Sequence, residues 1–234
     1  NCRDVLSGRF ACFNGDIVSS LDVGMMLEQH SSMNVKGTLA LWEVEDPTRF
    51  GIVGLDSENK VTQFKEKPKP EEVFSNLINA GSYILEDDVF DIMPKEKHSL
   101  ERDVFPVLAE EGSLAGFPFE GYFIDAGTPS SWHEAVLRCI EEKRFKTGSV
   151  SGGTWHQGKH TIARDSMVQD GCIVSGEVSH STILRGARID SGAVVSNCLI
   201  GEGAVIESDA RLTNVIVGHG SVVTAGHIQS EGTI

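Results

Sequence analysis

The 234-residue chain is poor in aromatic side chains, poor in positive charge and free of long apolar runs. No segment approaches the roughly 18 consecutive apolar residues of a membrane span. The opening Asn1-Cys2-Arg3-Asp4 does not lead from a charged n-region into an apolar h-region, as a secretory signal would. A soluble, unsecreted protein is expected, with no membrane partner. Its five cysteines (Cys2, Cys12, Cys139, Cys172, Cys198) are odd in number, widely spaced and without a Cys-x-x-Cys pair. That excludes a disulfide framework and a zinc site and fits the reducing cytoplasm. With 20 Lys+Arg against 34 Asp+Glu, the net charge is -14. Binding to nucleic acid by bulk electrostatics is therefore excluded, and any anionic ligand has to be met by a local site.

The scarcities are unevenly distributed. Residues 1–150 hold all seven prolines, 12 glycines, and 15 basic against 26 acidic residues. Residues 151–234 hold 13 glycines, no proline, no aromatic after Trp155, and 5 basic against 8 acidic residues. Such a shift marks a domain boundary, and Thr147-Gly148-Ser149-Val150-Ser151-Gly152-Gly153 reads as the linker. The expected division is 1–146, a linker over 147–160, and 161–234.

In the first part, strand-like runs alternate with helical patterns. Phe10–Phe13, Gly37–Val44 and Asn79–Leu85 read as strands, and Gly51–Leu55 with Val61–Phe64 as a hairpin. Leu21–His30, Glu101–Glu111 and Ser130–Lys146 read as helices. The alternation predicts an α/β layered domain with a mixed, mostly parallel sheet, whose ligands bind at the carboxyl ends of strands. In the second part, aliphatics recur at Ile173, Val178, Ile183, Ile189, Val195, Ile200, Ile206, Leu212, Val217, Val223 and Ile228, at spacings of five or six. A period near six is the hexapeptide signature of a parallel β-helix, with the large aliphatic pointing inward and three to four coils in all. Stacked coils leave no room for rings and no tolerance for the missing N–H of proline, which explains both absences.

Five elements occur in a set order: Phe13-Asn14-Gly15-Asp16, Phe50-Gly51-Ile52-Val53, Phe64-Lys65-Glu66-Lys67-Pro68, Ile78-Asn79-Ala80-Gly81, and Phe123-Ile124-Asp125-Ala126-Gly127-Thr128-Pro129. Followed by hexapeptide repeats, they resemble the sugar-1-phosphate nucleotidylyltransferases that carry a C-terminal left-handed β-helix. The resemblance implies a Rossmann-like nucleotidyltransferase domain, with a sugar 1-phosphate and an NTP as substrates. It also implies Mg²⁺ held by Asp16 and Asp125, a lysine on the sugar phosphate at Lys67, and a sugar pocket of Gly51, Glu66, Asn79 and Gly81. A homo-oligomer, assembled through the β-helix, is the expected state. Ile78-Asn79-Ala80-Gly81 is more similar to the mannose-1-phosphate guanylyltransferases than to the thymidylyltransferases. Read without the resemblance, Asp16 and Asp125 are also good turn or cap residues, and Glu66 and Lys67 ordinary solvated charges.

Family members open with a Gly-x-Gly-x-Arg loop that grips the NTP phosphates, and residue 1 here already lies just before the Asn-Gly-Asp strand. The sequence therefore reads as a truncated chain retaining the sugar-phosphate half of the site, with an open sheet edge and an exposed apolar face. Two other functions compete: a non-catalytic regulatory or assembly subunit, and a hexapeptide-repeat acyltransferase using His219 or His180, which otherwise read as exposed turn residues. Glu101 reads as an ion-pairing or capping residue, because Ser99 with Arg102 at the third helical position makes no capping box.

Overall fold

The computed structural model describes residues 3–142 and 165–234, so the expected linker lies outside the described residues. By internal contacts the chain divides into two units, Asn1–Phe123 and Ile124–Ile234.

The first unit is a mixed sheet flanked by helices. Its strands are β1 (Phe10–Phe13), β2 (Ile17–Ser19), β3 (Gly37–Glu43), β4 (Gly51–Leu55), β5 (Val61–Glu66), β6 (Leu77–Leu85) and β7 (Leu114–Pro118). The main sheet runs β5-β4-β6-β3-β7, with β1 also paired to β6. The expectation of a mostly parallel sheet is corrected here. Only β3 and β7 pair in parallel, while β6 runs antiparallel to β1, β3 and β4, and β4 antiparallel to β5. The short Asp56–Lys60 connection forces β4 and β5 into a hairpin, since a parallel pair needs a crossover of a dozen or more residues. Asp56 closes that turn by accepting hydrogen bonds from the Glu58 and Lys60 amides, both at 2.9 Å.

Helix α1 (Val23–Met33) begins at Asp22, whose carboxylate accepts from the Met25 amide, and ends at Asn34 in the left-handed region. It buries Met26 against Ala40, Ala80 and Ile84, while Met25, Leu27 and nearby Phe13 remain exposed. On the other face of the sheet, Leu39, Leu41, Val53, Tyr83 and Leu85 pack against Phe105 and Leu108 of a composite helical segment. That segment differs from the single helix expected over 101–111: it is a π-helical turn, Leu100–Val104, followed by α-helix Phe105–Glu110. Pro106, without an N–H, sits in the first α-helical turn, where no intrahelical donor is needed.

The second unit carries a helix, Pro129–Glu141, and a parallel β-helix. Three sheets form its sides. One contains Ile173–Val174, Arg188–Ile189, Val205–Ile206 and Val222–Val223; the next contains Glu177–Ser179, Val194–Ser196, Arg211–Thr213 and Ile228–Gln229. The third contains Met167–Val168, Thr182–Ile183, Leu199–Ile200, Val215–Val217 and Gly232–Thr233. Successive coils advance by 17 residues, as in Arg188 to Val205 to Val222, whereas the first advances by 15, from Met167 to Thr182. Two sides of six and one of five explain the alternating spacing in the sequence.

Inside, Ile183, Ile189, Val195, Ile200, Ile206, Leu212, Val217 and Val223 stack in one core, with Ala187, Ala193, Ala204 and Ala210 beneath the turns. Two residues expected to point inward do not: Ile173 and Ile228 are 55% and 71% exposed. In the shorter first coil Val174 takes the inward place, so the position next to it faces out. Corners require left-handed backbone. Gly186, Gly203 and Gly220 supply it at one corner, and His180, Asn197 and Asn214 at another. Gly201 serves a different need, since an added Cβ would lie 2.5 Å from the Gly218 carbonyl carbon in the next coil.

Candidate active site

In the first unit, five of the sugar-pocket and phosphate residues expected from the sequence converge, together with Glu101, expected only to pair or cap, and Tyr83, which the sequence did not single out. The β4–β5 hairpin places Gly51 opposite Glu66. A Cβ at Gly51 would sit 2.8 Å from Glu66 Oε2, so glycine here makes room for the carboxylate. Lys67 follows with φ of 46°, its amide donating to the Phe50 carbonyl at 2.9 Å. A non-glycine residue held there, immediately before a proline, stores about 1–3 kcal/mol of strain. Such strain collects where a side chain has to be aimed. Lys67 is exposed, and Glu66 is half-buried.

Strand β6 supplies the floor. Asn79 Nδ2 donates to the Tyr83 hydroxyl at 3.0 Å, while Asn79 Oδ1 accepts from the Gly81 amide at 3.1 Å. The hydroxyl in turn donates to Glu101 Oε1 at 3.3 Å, and Ser99 Oγ donates to Glu101 Oε2 at 2.6 Å. Gly81 has φ of 65°, and an added Cβ would lie 2.7 Å from Asn14 Nδ2. The Asn14 amide donates to the Gly81 carbonyl at 2.7 Å. The close approach Gly81 permits is thus to the Asn14-Gly15-Asp16 loop, which it ties to β6 beside Asn79. Asp16, three residues beyond β1, is exposed, and its carboxylate accepts no hydrogen bond among the described residues. It caps nothing, which removes the simplest structural explanation for it.

The cluster holds two carboxylates, Glu66 and Glu101. Burial pushes the Glu66 carboxyl above its ordinary value, the Glu101 charge adds to the rise, and Lys67 and Arg102 oppose it. Burial also pushes the Tyr83 phenol well up, so it stays protonated and serves as a donor. The sequence predicts an ion-pairing or capping role for Glu101. It lies instead on the π-helical turn, turned toward Tyr83 and Glu66, as π-helical segments often do at functional sites. Tyr83 was missed, although its same-parity spacing from Asn79 and Gly81 on one strand was a usable signal.

Asp125 ends the strand Phe123–Asp125 and belongs to the second unit. Its Oδ1 accepts from the Gly127 amide at 3.1 Å. Thr128 then caps the helix reciprocally with Ser131, and Pro129 occupies the first turn. Asp125-Ala126-Gly127-Thr128-Pro129 is therefore a turn and helix start, and it leaves Asp125 Oδ2 without a hydrogen bond among the described residues. No cluster of three or more His, Cys, Asp or Glu suited to a metal occurs among the described residues. One or two carboxylates completed by phosphate oxygens suit Mg²⁺, a hard cation that keeps several waters, and Asp16 and Asp125 have the chemistry for it.

The histidines proposed for acyl transfer are turn residues. His219 Nδ1 accepts from the Glu202 amide at 2.8 Å, and His180 pairs with Asp165 at 2.8 Å. Both are exposed.

A family model described as nucleotidyl transferase matches residues 3–142, and one described as GlmU-like, C-terminal hexapeptide matches residues 153–229. The chain belongs to the nucleotidyl transferase family. It is 28% identical over 209 residues to the probable mannose-1-phosphate guanylyltransferase 1 of Oryza sativa subsp. japonica, covering 82% of this chain and 57% of the relative. It is 32% identical over 206 residues to the glucose-1-phosphate adenylyltransferase of Bacillus subtilis, covering 79% and 53%. The chain spans about half the length of these relatives. As a nucleotidyl transferase with a hexapeptide-repeat β-helix, it has the two-part architecture anticipated from its repeats. No helix among the described residues is long and apolar enough to cross a membrane.

Proposed function

We propose that this nucleotidyl transferase transfers a nucleotidyl group from an NTP to a sugar 1-phosphate, giving an NDP-sugar and pyrophosphate. The observation that carries this reading is the cluster of Gly51, Glu66, Lys67, Asn79, Tyr83 and Glu101. It places acceptors for several hydroxyl groups beside the Lys67 cation, which suits a phosphate, and together they have the chemistry for a phosphorylated sugar. The family match and the relatives' names agree with it.

Lys67 binds the sugar phosphate and offsets its repulsion from the NTP. Glu66 accepts hydrogen bonds from sugar hydroxyls, and Asn79, held at both ends of its amide, orients the ring. Gly51 and Gly81 keep the walls free of side chains. A phosphate oxygen of the sugar phosphate forms the new bond to the α-phosphorus in line, the α–β phosphoanhydride bond breaks, and pyrophosphate leaves with that electron pair. The nucleophile is already an anion, so no general base is needed, and positioning does most of the work. Asp16 and Asp125 would hold Mg²⁺, which supplies charge neutralisation at the reacting phosphates. Cytoplasmic location and self-association through the β-helix belong to the same proposal. Outward-facing Ile173 and Val222, 55% and 54% exposed on one sheet, support the latter.

The test is pyrophosphate release across a matrix of NTPs and sugar 1-phosphates, with mannose and glucose 1-phosphate as the first pair, using the full-length protein. Signal for one NTP and sugar combination, lost in Asp125→Ala, supports the reading. Undiminished release in that variant refutes the metal assignment, and no release with any combination refutes the activity.

A further inference from the structure

Ser99 stands in extended conformation just before the π-helical turn Leu100–Val104, where a serine ordinarily caps by accepting from a backbone N–H. Its side chain makes no such bond and donates instead to Glu101 Oε2 at 2.6 Å. Asp103 fixes the backbone on both sides: its Oδ2 accepts from the Ser99 amide at 2.7 Å, and its amide donates to the Ser99 carbonyl at 2.9 Å. A stabilising cap is forgone for a contact with a carboxylate of the sugar-phosphate cluster.

From Glu101 a line of hydrogen bonds continues to β6. The Tyr83 hydroxyl donates to Glu101 Oε1 at 3.3 Å, Asn79 Nδ2 donates to the Tyr83 hydroxyl at 3.0 Å, and Asn79 Oδ1 accepts from the Gly81 amide at 3.1 Å. Residues four apart on a regular strand are separated by roughly 13 Å. Here the pairing with β3 shifts between them, Tyr83 facing Leu39 and Asn79 facing Leu41, so four steps along β6 answer two along β3. Gly81, with φ of 65°, takes up the extra chain and lets the two side chains meet.

Both ends of the line are chemically one-sided. A carboxylate only accepts, and a backbone N–H only donates. Ser99 and Tyr83 are therefore both donors toward Glu101, the Tyr83 oxygen is the acceptor for Asn79, and the Asn79 carbonyl oxygen has to face Gly81. Burial keeps the Tyr83 phenol protonated, so its proton remains in the line. The Asn79 side chain makes no other hydrogen bond among the described residues, which leaves it one N–H and one acceptor site on Oδ1. Glu66, near enough to feel the Glu101 charge, adds acceptors only.

We propose that Ser99 is a positioning residue for sugar selection: through Glu101 and Tyr83 it locks the Asn79 amide so that it meets one sugar hydroxyl as donor and a neighbouring one as acceptor. The inference rests on the proposed sugar 1-phosphate site and adds the device that tells apart sugars differing in the configuration of one hydroxyl. A site built to hydrogen-bond a hydroxyl rejects a sugar that misplaces it, because its own polar groups are then left unpaired. That rejection is sharp only while the supporting side chains hold the amide still.

The test is steady-state pyrophosphate release by the full-length protein with glucose 1-phosphate and mannose 1-phosphate, epimers at one hydroxyl, using the NTP that the parent enzyme accepts. Ser99→Ala should lower the parent's preference between the two, read as the ratio of their kcat/KM values, about fivefold. The loss should fall on KM for the preferred sugar 1-phosphate, with KM for the NTP at the parent value. Ser99→Thr, which keeps the hydroxyl, should restore the preference. Glu101→Gln, which keeps the shape but can turn an N–H toward Tyr83, should erode it as Ser99→Ala does. A merely structural role for Ser99 would weaken both sugars alike. The inference is overturned if Ser99→Ala keeps the parent's preference, if both sugars lose equally, or if the parent does not distinguish the epimers. No pyrophosphate release by the parent with any NTP and sugar 1-phosphate would instead overturn the underlying reading, and this inference with it.

Discussion

The Tyr83 hydroxyl donates a 3.3 Å hydrogen bond to Glu101 Oε1, joining the central strand to the π-helical turn. The phenol ring itself is packed edge-on against Phe105, with centroids 5.0 Å apart. One side chain therefore serves both the core and the site. Tyr83→Phe keeps the packing, strands Asn79 and Glu101, and is expected to cost about 0.5–1.5 kcal/mol of stability. On the proposed function it also raises KM for the sugar 1-phosphate severalfold while leaving KM for the NTP alone. Urea unfolding and steady-state kinetics on one preparation check both.

Glu66 is expected to trade stability for binding. Its folded pKa lies above the ordinary 4.5, from burial first and Glu101 second. Its contribution is thus fully present below about pH 4.5 and is lost as pH rises through the folded value. At pH 7 the ionised group is a cost, so Glu66→Gln should melt higher than the parent at pH 7, with the gap closing toward pH 4. Pyrophosphate release should fall by one to two orders of magnitude. A lower melting temperature at pH 7 would contradict the electrostatic account.

Two buried histidines set the acid limb of stability. Burial depresses both His30 and His133 below 6.5, even though His30 contacts Glu86 Oε1 at 3.1 Å and Thr38 Oγ1 at 2.8 Å. Their neutral forms are favoured in the folded protein, so the stability they contribute is present above pH 6.5 and is lost as pH falls through their folded values. Thermal melts between pH 7.5 and 5 should show a decline, shallower in His133→Phe.

The β-helix should respond to lost and to added volume in two different ways. Ile206→Ala removes a fully buried side chain and is expected to cost about 2–5 kcal/mol through the cavity it leaves. Gly201→Ala adds a methyl 2.5 Å from the Gly218 backbone, where nothing flexible can yield, and should separate adjacent coils. Hydrogen exchange of the Gly201 amide, which bonds to the Val217 carbonyl at 2.8 Å, would report the separation.

Cys172 and Cys198 should be silent to alkylation in the folded state. Both are buried, their thiols are pushed up by burial, and their sulfurs donate to the Leu184 and Ser196 carbonyls. Peptide mapping after iodoacetamide should find them modified only in denaturant.

The amino-acid sequence by itself determined the repeats and their consequences. Aliphatics every five or six residues, small residues between them, and glycine or asparagine at corners leave a stacked parallel coil as the way to bury one side chain per side without a conflicting register. It also determined the order of the site motifs, because each is a strand end or a tight turn readable from a few adjacent residues. Only the tertiary structure decided how those pieces meet. That Gly51 makes room for Glu66, that Gly81 holds the Asp16 loop, and that Glu101 completes the cluster through Tyr83 are contacts between residues up to 67 positions apart. No local periodicity encodes them. The antiparallel majority of the sheet was hidden for the same reason, since strand direction depends on which strands pair and apolar runs look alike in either sense. His133 was the least legible residue of all: within its helix it is one polar side chain among several. Only the packing of that helix against the third sheet buries it and brings its Nδ1 to Thr182 Oγ1.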